Sequence, residues 1–348
     1  MPTVLRRTVG LPALYNRAYE PIIEAAPIRS LQLPLIFANR LFIELIYFGL
    51  FLLPFAILLV MNVQRVSSLK MRHLSVFSGC ALFTAISGVL LCQGRMMPLS
   101  GNVLYNFGLG PALLRDTYLL GLPHWPAASR EFWLIVTAAA ILGSVLLILG
   151  VLPAIRRMIR LFANKGKVEQ AAIFFLLSGV VFYAAMIGIT GFLDRYLIWP
   201  LPLLMGVVLA GRSTVRPGVQ ALPLSIAAAL LVIFGLFAVG GTHDYLAWNR
   251  VRWQALTDLM EKDGISYKNI DGGFEFNGWY AYHANYRIDP SKSVWWVSGD
   301  DYVLSFGPIL GYVEMNRYPF ERWIPLGQDD IFVLQRVGAS EDRQGAKR

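Results

Sequence analysis

Stretches of about twenty residues with little or no charge recur through the first two thirds of this chain, and they limit what it can fold into. As helix, some 20 apolar residues cover the roughly 30 Å hydrocarbon core of a bilayer. A backbone in that medium must satisfy its own polar groups, which favours helices over irregular chain. Charged residues are 15% of the sequence, against about 25% in ordinary soluble domains. The expected class is therefore an α-helical multi-pass membrane protein.

Six spans are read from the pattern: about 42–61, 74–92, 132–154, 171–193, 196–211 and 221–241. The run 171–210 is too long for one crossing. Its only acidic or basic residues are Asp194 and Arg195, in "GITGFLDRYLIWPLPLLMG". It reads as a helical hairpin turning at that pair. Cys80 and Cys92 fall twelve positions apart in one expected helix, too far for a disulfide.

Basic residues orient the spans, because they concentrate in cytoplasmic loops. Segments 62–73, 156–170 and 212–220 hold ten Lys and Arg in 36 positions, whereas 94–131 holds three (Arg95, Arg115 and Arg130) in 38. The outer face then receives the loop 94–131, the turn at Asp194 and everything after residue 241. Parity also places the N-terminus outside, against its five arginines, so residues 1–40 are expected to lie on or dip into the membrane as a separate arm. The net charge of +9 is thus explained by loops between spans. It forms no basic face on a soluble module, and nucleic acid is not an expected partner.

After residue 241 the pattern changes. "HDYLAWNRVRWQALTDLMEKDGI" places Leu246, Trp253, Leu256 and Met260 on one helical face and stops at Gly264. "SVWWVS", "YVLS", "GYVEMNRYPF" and "DDIFVLQRV" read as short strands. The fold class is a transmembrane domain over 41–241, a small C-terminal extracytoplasmic α/β domain over 242–338, and a flexible tail, 339–348.

Ionisable groups at the outer boundary are the candidates for chemistry, since such groups in or near a membrane are costly and usually paired or functional. Asp194 neutralising Arg195 at a turn, with Tyr196 and Trp199 as an aromatic anchor, is one reading. The other is that Arg195 grips a lipid phosphate with its planar fork while Tyr196 lines the pocket. Arg95 and Arg115 lie on the same face. Asp116 and Glu44 are the candidate bases, although an Arg115–Asp116 ion pair and a Glu44 solvated at a helix edge account for them as well. His124 and His243 stand without partners at metal-ligand spacing. In "NIDGGFEFNGWYAYH", Glu275, Asn277, Trp279 and Tyr280 could stack on and bond a sugar; a Gly-rich turn leading into an aromatic core helix is the alternative.

The "FLDRYLIWPLPLL" hairpin, with "NIDGGFEFNGWY" and "ERWIPLGQDDIFVLQR" in the tail, resembles the late part of GT-C membrane glycosyltransferases of the family-39-like group, which use polyprenyl-phosphate sugars. The resemblance covers roughly residues 40–337. It implies a lipid-linked sugar donor held by the membrane part, transfer on the outer face of the plasma (inner) membrane, and a divalent metal in some members. It carries a donor-phosphate role to Arg195 and Tyr196. The family's catalytic acidic motif in a first outer loop has no counterpart here, and such enzymes have about twice as many spans. The expectation is a C-terminal half whose catalytic carboxylate comes from a separately encoded N-terminal half. A non-catalytic remnant or lipid-linked-sugar-binding subunit is the alternative.

Overall fold

The computed structural model describes residues 32–63, 74–99, 103–104, 112–125, 128–162, 167–189, 193–210, 221–282 and 295–338. The expected arm over 1–40 falls outside them as far as residue 31, as does the tail 339–348. Two compact units emerge: one from the described residues of Pro21–Gly101 and Ser129–Leu236, the other from those of Asn102–Ala128 and Phe237–Arg348.

The first unit is helical. Helix α1 spans Gln32–Phe51, α2 Leu53–Val63, α3 Leu74–Cys92, α4 Arg130–Phe162, α5 Lys167–Ile189 and α6 Pro200–Ala210; α7, Ala221–Thr257, begins here. The expected straight span over 42–61 is instead two helices bent by 78° at Leu52. Pro54 is the cause: it has no N–H to give the Leu50 carbonyl, and its ring collides with that carbonyl in a straight helix. Leu52 N–H still bonds the Phe48 oxygen (2.9 Å) and Ala56 N–H the Leu52 oxygen (2.8 Å), on either side of the proline.

Small residues bring α1 and α2 against α4. A Cβ on Gly143 would overlap the Gly49 carbonyl, and one on Gly49 would overlap the backbone at Ser144 and Ala140. Gly150 lies against the Leu59 side chain more loosely, where a Cβ would make only a tight contact. The Ser144 hydroxyl lies 2.8 Å from the carbonyls of both Leu45, across the crossing, and Ala140 in its own helix. Glycine and serine at a crossing let backbones approach and gain dispersion contact where lipid offers no hydrophobic drive.

Two described helical segments, Arg130–Val151 and Ala221–Lys262, are long and apolar enough to cross a membrane, and there are three if the bent α1–α2 pair forms one span. The expectation of six is coarsened accordingly: Phe77–Cys92 and Ile173–Tyr183 are shorter apolar helices, and α6 has 11 residues. Helix α4 also continues to Phe162, so Arg156, Arg157 and Arg160 belong to its last turns rather than to a loop.

The second unit is α/β. Helix α7 does not stop at 241. It runs unbroken to Thr257 and, through a π-helical turn at Asp258–Lys262, ends at Gly264, whose positive φ of 64° closes it. Of the expected face, Leu256 is buried and Trp253 and Met260 pack against the core, whereas Leu246 is exposed; Trp248, Arg252, Ala255 and Leu259 complete the buried side. Strand β1 (Ile270–Asp271), helix α8 (Phe274–Ala281) and strands β2 (Tyr302–Ser305), β3 (Tyr312–Trp323) and β4 (Leu326–Arg336) follow. The sheet order is β1-β2-β4-β3, with β1 parallel to β2 and the other pairs antiparallel. "SVWWVS" gives no strand in its described part: Trp296 turns the chain with φ of 50° and buries beside Trp295 and Val297. Leu114 and Ala112 join Trp248, Leu256, Phe276, Leu304, Ile331 and Val333 in one core. The segment 112–125, read from sequence as part of a loop over helix ends, is therefore a core element of this unit.

Candidate functional site

Each unit offers one concentration of ionisable side chains. In the helical unit it is the turn between α5 and α6, a 3-10 turn over Asp194–Ile198. Asp194 is buried in it and Arg195 is exposed, so the neighbours occupy different surroundings. The Arg195 guanidinium lies over the Tyr196 ring, 5.6 Å from its centroid. Ile198 and Trp199, on either side of the following bend, present large apolar surfaces outward. Pro200 then opens α6, where its missing N–H costs nothing. An exposed cation over an aromatic ring, with exposed Ile198 and Trp199 three and four positions on, is suited to an anion carried on an apolar body.

Glu44, expected at a solvated helix edge, is instead 1% exposed within α1. Arg40, one turn earlier, acts on it electrostatically. Its Oε1 has no hydrogen-bond partner among the described residues. Arg95 is exposed just after α3. Cys80 and Cys92 are both free thiols.

In the α/β unit the polar groups gather where 112–125 docks on the sheet. Arg115 and Asp116 start a π-helical turn, Arg115–Leu119, and point to different partners. The expected Arg115–Asp116 ion pair is replaced by a long-range one. Arg115 Nη1 bonds Asp300 Oδ2 at 2.5 Å and the Tyr312 hydroxyl at 3.2 Å, and Arg336 holds the other Asp300 oxygen. Asp116, fully buried, accepts from the Phe306 N–H at 2.8 Å and sits 2.9 Å from His124 Nδ1. Burial pushes its carboxyl above the usual range, and these bonds offset part of the rise. His124 and His243 thus each have a carboxylate partner, the latter Asp244 at 3.0 Å.

The "DGGFEFNG" stretch forms a turn into a helix. Gly273, with φ of 89°, leaves no room for a side chain against Leu114 and the Leu113 carbonyl. Asn277 Nδ2 donates to Asp271 Oδ1 at 2.8 Å while its own oxygen accepts from Gly272 N–H at 3.1 Å. Glu275 pairs at 2.7 Å with Arg252, which is fully buried and flanked by the Trp248 and Trp253 rings. Of the four candidate sugar contacts, Trp279 and Tyr280 remain exposed, while Asn277 is buried. Asp300, Asp271 and Arg252 were not singled out from sequence for this role. A charged residue on the apolar face of α7 is the one signal that pointed to Arg252.

Chemically, the α/β cluster is a set of buried pairs, and Asp116 has no solvent-facing oxygen with which to take a proton from an acceptor. Among the described residues no group of three or more His, Cys, Asp or Glu is disposed to hold a metal ion. Fold and site define a mostly helical protein with two to three candidate membrane-spanning helices and a small C-terminal sheet. Compared with protein-family models, curated proteins and solved structures, the chain matches none.

Proposed function

We propose that this chain is a multi-pass protein of the plasma (inner) membrane that binds a polyprenyl-phosphate-linked sugar on the outer face, in the manner of the C-terminal part of a GT-C glycosyltransferase. The six apolar segments of the sequence are its spans, and the α/β unit lies outside. The observation that carries this reading is the exposed Arg195 over the Tyr196 ring, bordered by exposed Ile198 and Trp199. The guanidinium fork supplies two N–H donors to phosphate oxygens, and the aromatic and aliphatic neighbours suit the prenyl carbons beside it. Asp116 favours a binding rather than a self-sufficient catalytic role: its carboxyl is fully buried, with Oδ2 held by His124 and the Phe306 N–H inside the fold. The base for sugar transfer then comes from a partner protein. The divalent ion that some GT-C enzymes use finds no three-ligand set among the described residues, and the proposal involves none.

The test is equilibrium binding of a polyprenyl phosphate to the purified chain in lipid nanodiscs. Loss of a charge-assisted, bidentate contact is expected to weaken binding at least about tenfold in Arg195→Ala, equivalent to about 1.4 kcal/mol, with Arg195→Lys intermediate. Unchanged binding in Arg195→Ala overturns the assignment. Sugar transfer by the chain alone from a polyprenyl-phosphate sugar would overturn the requirement for a partner.

A further inference from the structure

The tip of the β3–β4 hairpin is held at one particular level of α7. Strand β3 ends at Trp323 and β4 begins at Leu326, leaving Ile324 and Pro325 as the turn. The Asp244 carboxylate accepts both backbone donors there, from Trp323 N–H at 2.7 Å and from Ile324 N–H at 2.8 Å. The His243 ring stacks on the Trp323 ring at 4.0 Å with an interplanar angle of 11°. Gly240 is where Ile324 lies against the helix, since a Cβ there would strike its side chain. Residues 240–244 are also where the uncharged stretch 221–241 gives way to the first ionisable groups of α7.

That coincidence sets the tip at the end of the apolar stretch. Below it on α7, Leu231, Val232, Ile233, Leu236 and Val239 are exposed. At the tip, Leu326 is 84% exposed and Trp323 about half exposed, an apolar edge beside Gly240 of α7. Tryptophan with a stacked, polar-edged partner is the side chain that settles at the headgroup level. Leu310, just ahead of β3, is 100% exposed but lies at the far end of a twelve-residue strand, roughly 40 Å away at about 3.4 Å per residue. The two leucines thus share exposure and lie at opposite ends of the hairpin.

We infer that the Trp323–Leu326 tip is a second membrane contact of this protein, seated in the lipid interface and clamped there by His243 and Asp244. The partner is the bilayer itself. Leu326 enters the acyl boundary, the Trp323 ring lies at the headgroups, and the Asp244 carboxylate satisfies the turn's two N–H groups where water is scarce. The contact fixes the tilt of the sheet against the membrane plane. It rests on α7 being a membrane span.

The test uses the full chain with Cys80→Ala and Cys92→Ser, carrying one added cysteine labelled with a polarity-sensitive fluorophore. It is reconstituted in phosphatidylethanolamine–phosphatidylglycerol vesicles containing lipids spin-labelled near the headgroup. Leu326→Cys is expected to give blue-shifted emission and several-fold more quenching than Leu310→Cys. Leu231→Cys, inside the apolar stretch, reports separately on the span by its own blue shift. If the label at 231 reports lipid and the labels at 326 and 310 both report water, the tip contact is overturned and the span stands. If all three report water, the span fails and the inference with it.

Discussion

Asp271 shows how the α/β unit handles a charge it has taken out of water. Its Oδ1 accepts from Asn277 Nδ2 and, at 3.3 Å, from Gly273 N–H, while Oδ2 has no partner among the described residues. Burial raises its carboxyl pKa above the usual range, and the Arg115 charge recovers only part of that. Asp116 is shifted in the same direction for the same reason. A raised folded-state value means that the folded protein holds a proton the unfolded chain has released. The associated stability is complete below the unfolded value of about 3.9 and is lost as pH rises through the folded one. This unit is therefore expected to unfold at higher temperature in mildly acidic buffer than at pH 8, as followed by tryptophan fluorescence. Asp271→Asn keeps the Oδ1 acceptor and removes the charge, so it is expected to raise the midpoint at pH 8 and to do so less at pH 5. An equal loss at both pH values would show that the carboxylate is needed ionised. At this scale the sequence was legible for residue type and misleading for partners. Arg115 and Asp116 are neighbours in the chain, yet their partners are Asp300 and the His124–Phe306 pair. Nothing local indicates a contact 185 positions away.

Elements were more legible than contacts, because periodicity and breakers act locally. Strands β2, β3 and β4 fall where "YVLS", "GYVEMNRYPF" and "DDIFVLQRV" place them, and Gly264 ends the helix it was expected to end. The failures have identifiable causes. Pro54 sits inside an apolar run whose hydropathy concealed the bend, and Trp296 adopts a positive φ that no β-propensity scale anticipates. The α1–α4 crossing was equally invisible, since glycines in apolar helices carry no hydropathy signal. Its energetics are strict, because the atoms opposing a new Cβ at 143 belong to the Gly49 backbone and cannot rotate away. Gly143→Ala is expected to destabilise the helical unit by about 2 kcal/mol or more, read as a lower thermal-aggregation midpoint in detergent. Gly79→Ala, where a Cβ meets nothing within 4 Å, is the matched control and is expected to be neutral or slightly stabilising through helix propensity. Similar losses for both would place the cost in the helices themselves rather than in their crossing.

At the scale of the whole molecule, α7 and the placement of the basic residues matter most. The continuous helix Ala221–Lys262 has 42 residues, roughly 63 Å at 1.5 Å each, twice what a bilayer core of about 30 Å accommodates. Its first half is uncharged and bulky outward, and its second half is the buried spine of the α/β unit. On the proposed topology the basic residues mark the cytoplasmic face, where Arg156, Arg157 and Arg160 close α4 and Lys167 opens α5. Carrying four cations across the membrane costs far more than keeping them on the side of synthesis, which is the basis of the positive-inside bias. A phosphatase active only outside the cytoplasm, fused after Gly338, is therefore expected to be active, and the same enzyme inserted between Phe162 and Lys167 inactive. Replacing Arg156, Arg157 and Arg160 by Gln is expected to raise the activity of the second fusion by weakening the bias that holds it inside. Activity at 162–167 with none after 338 would invert the molecule, put Arg195 on the cytoplasmic face, and move the site for a lipid phosphate to the opposite leaflet.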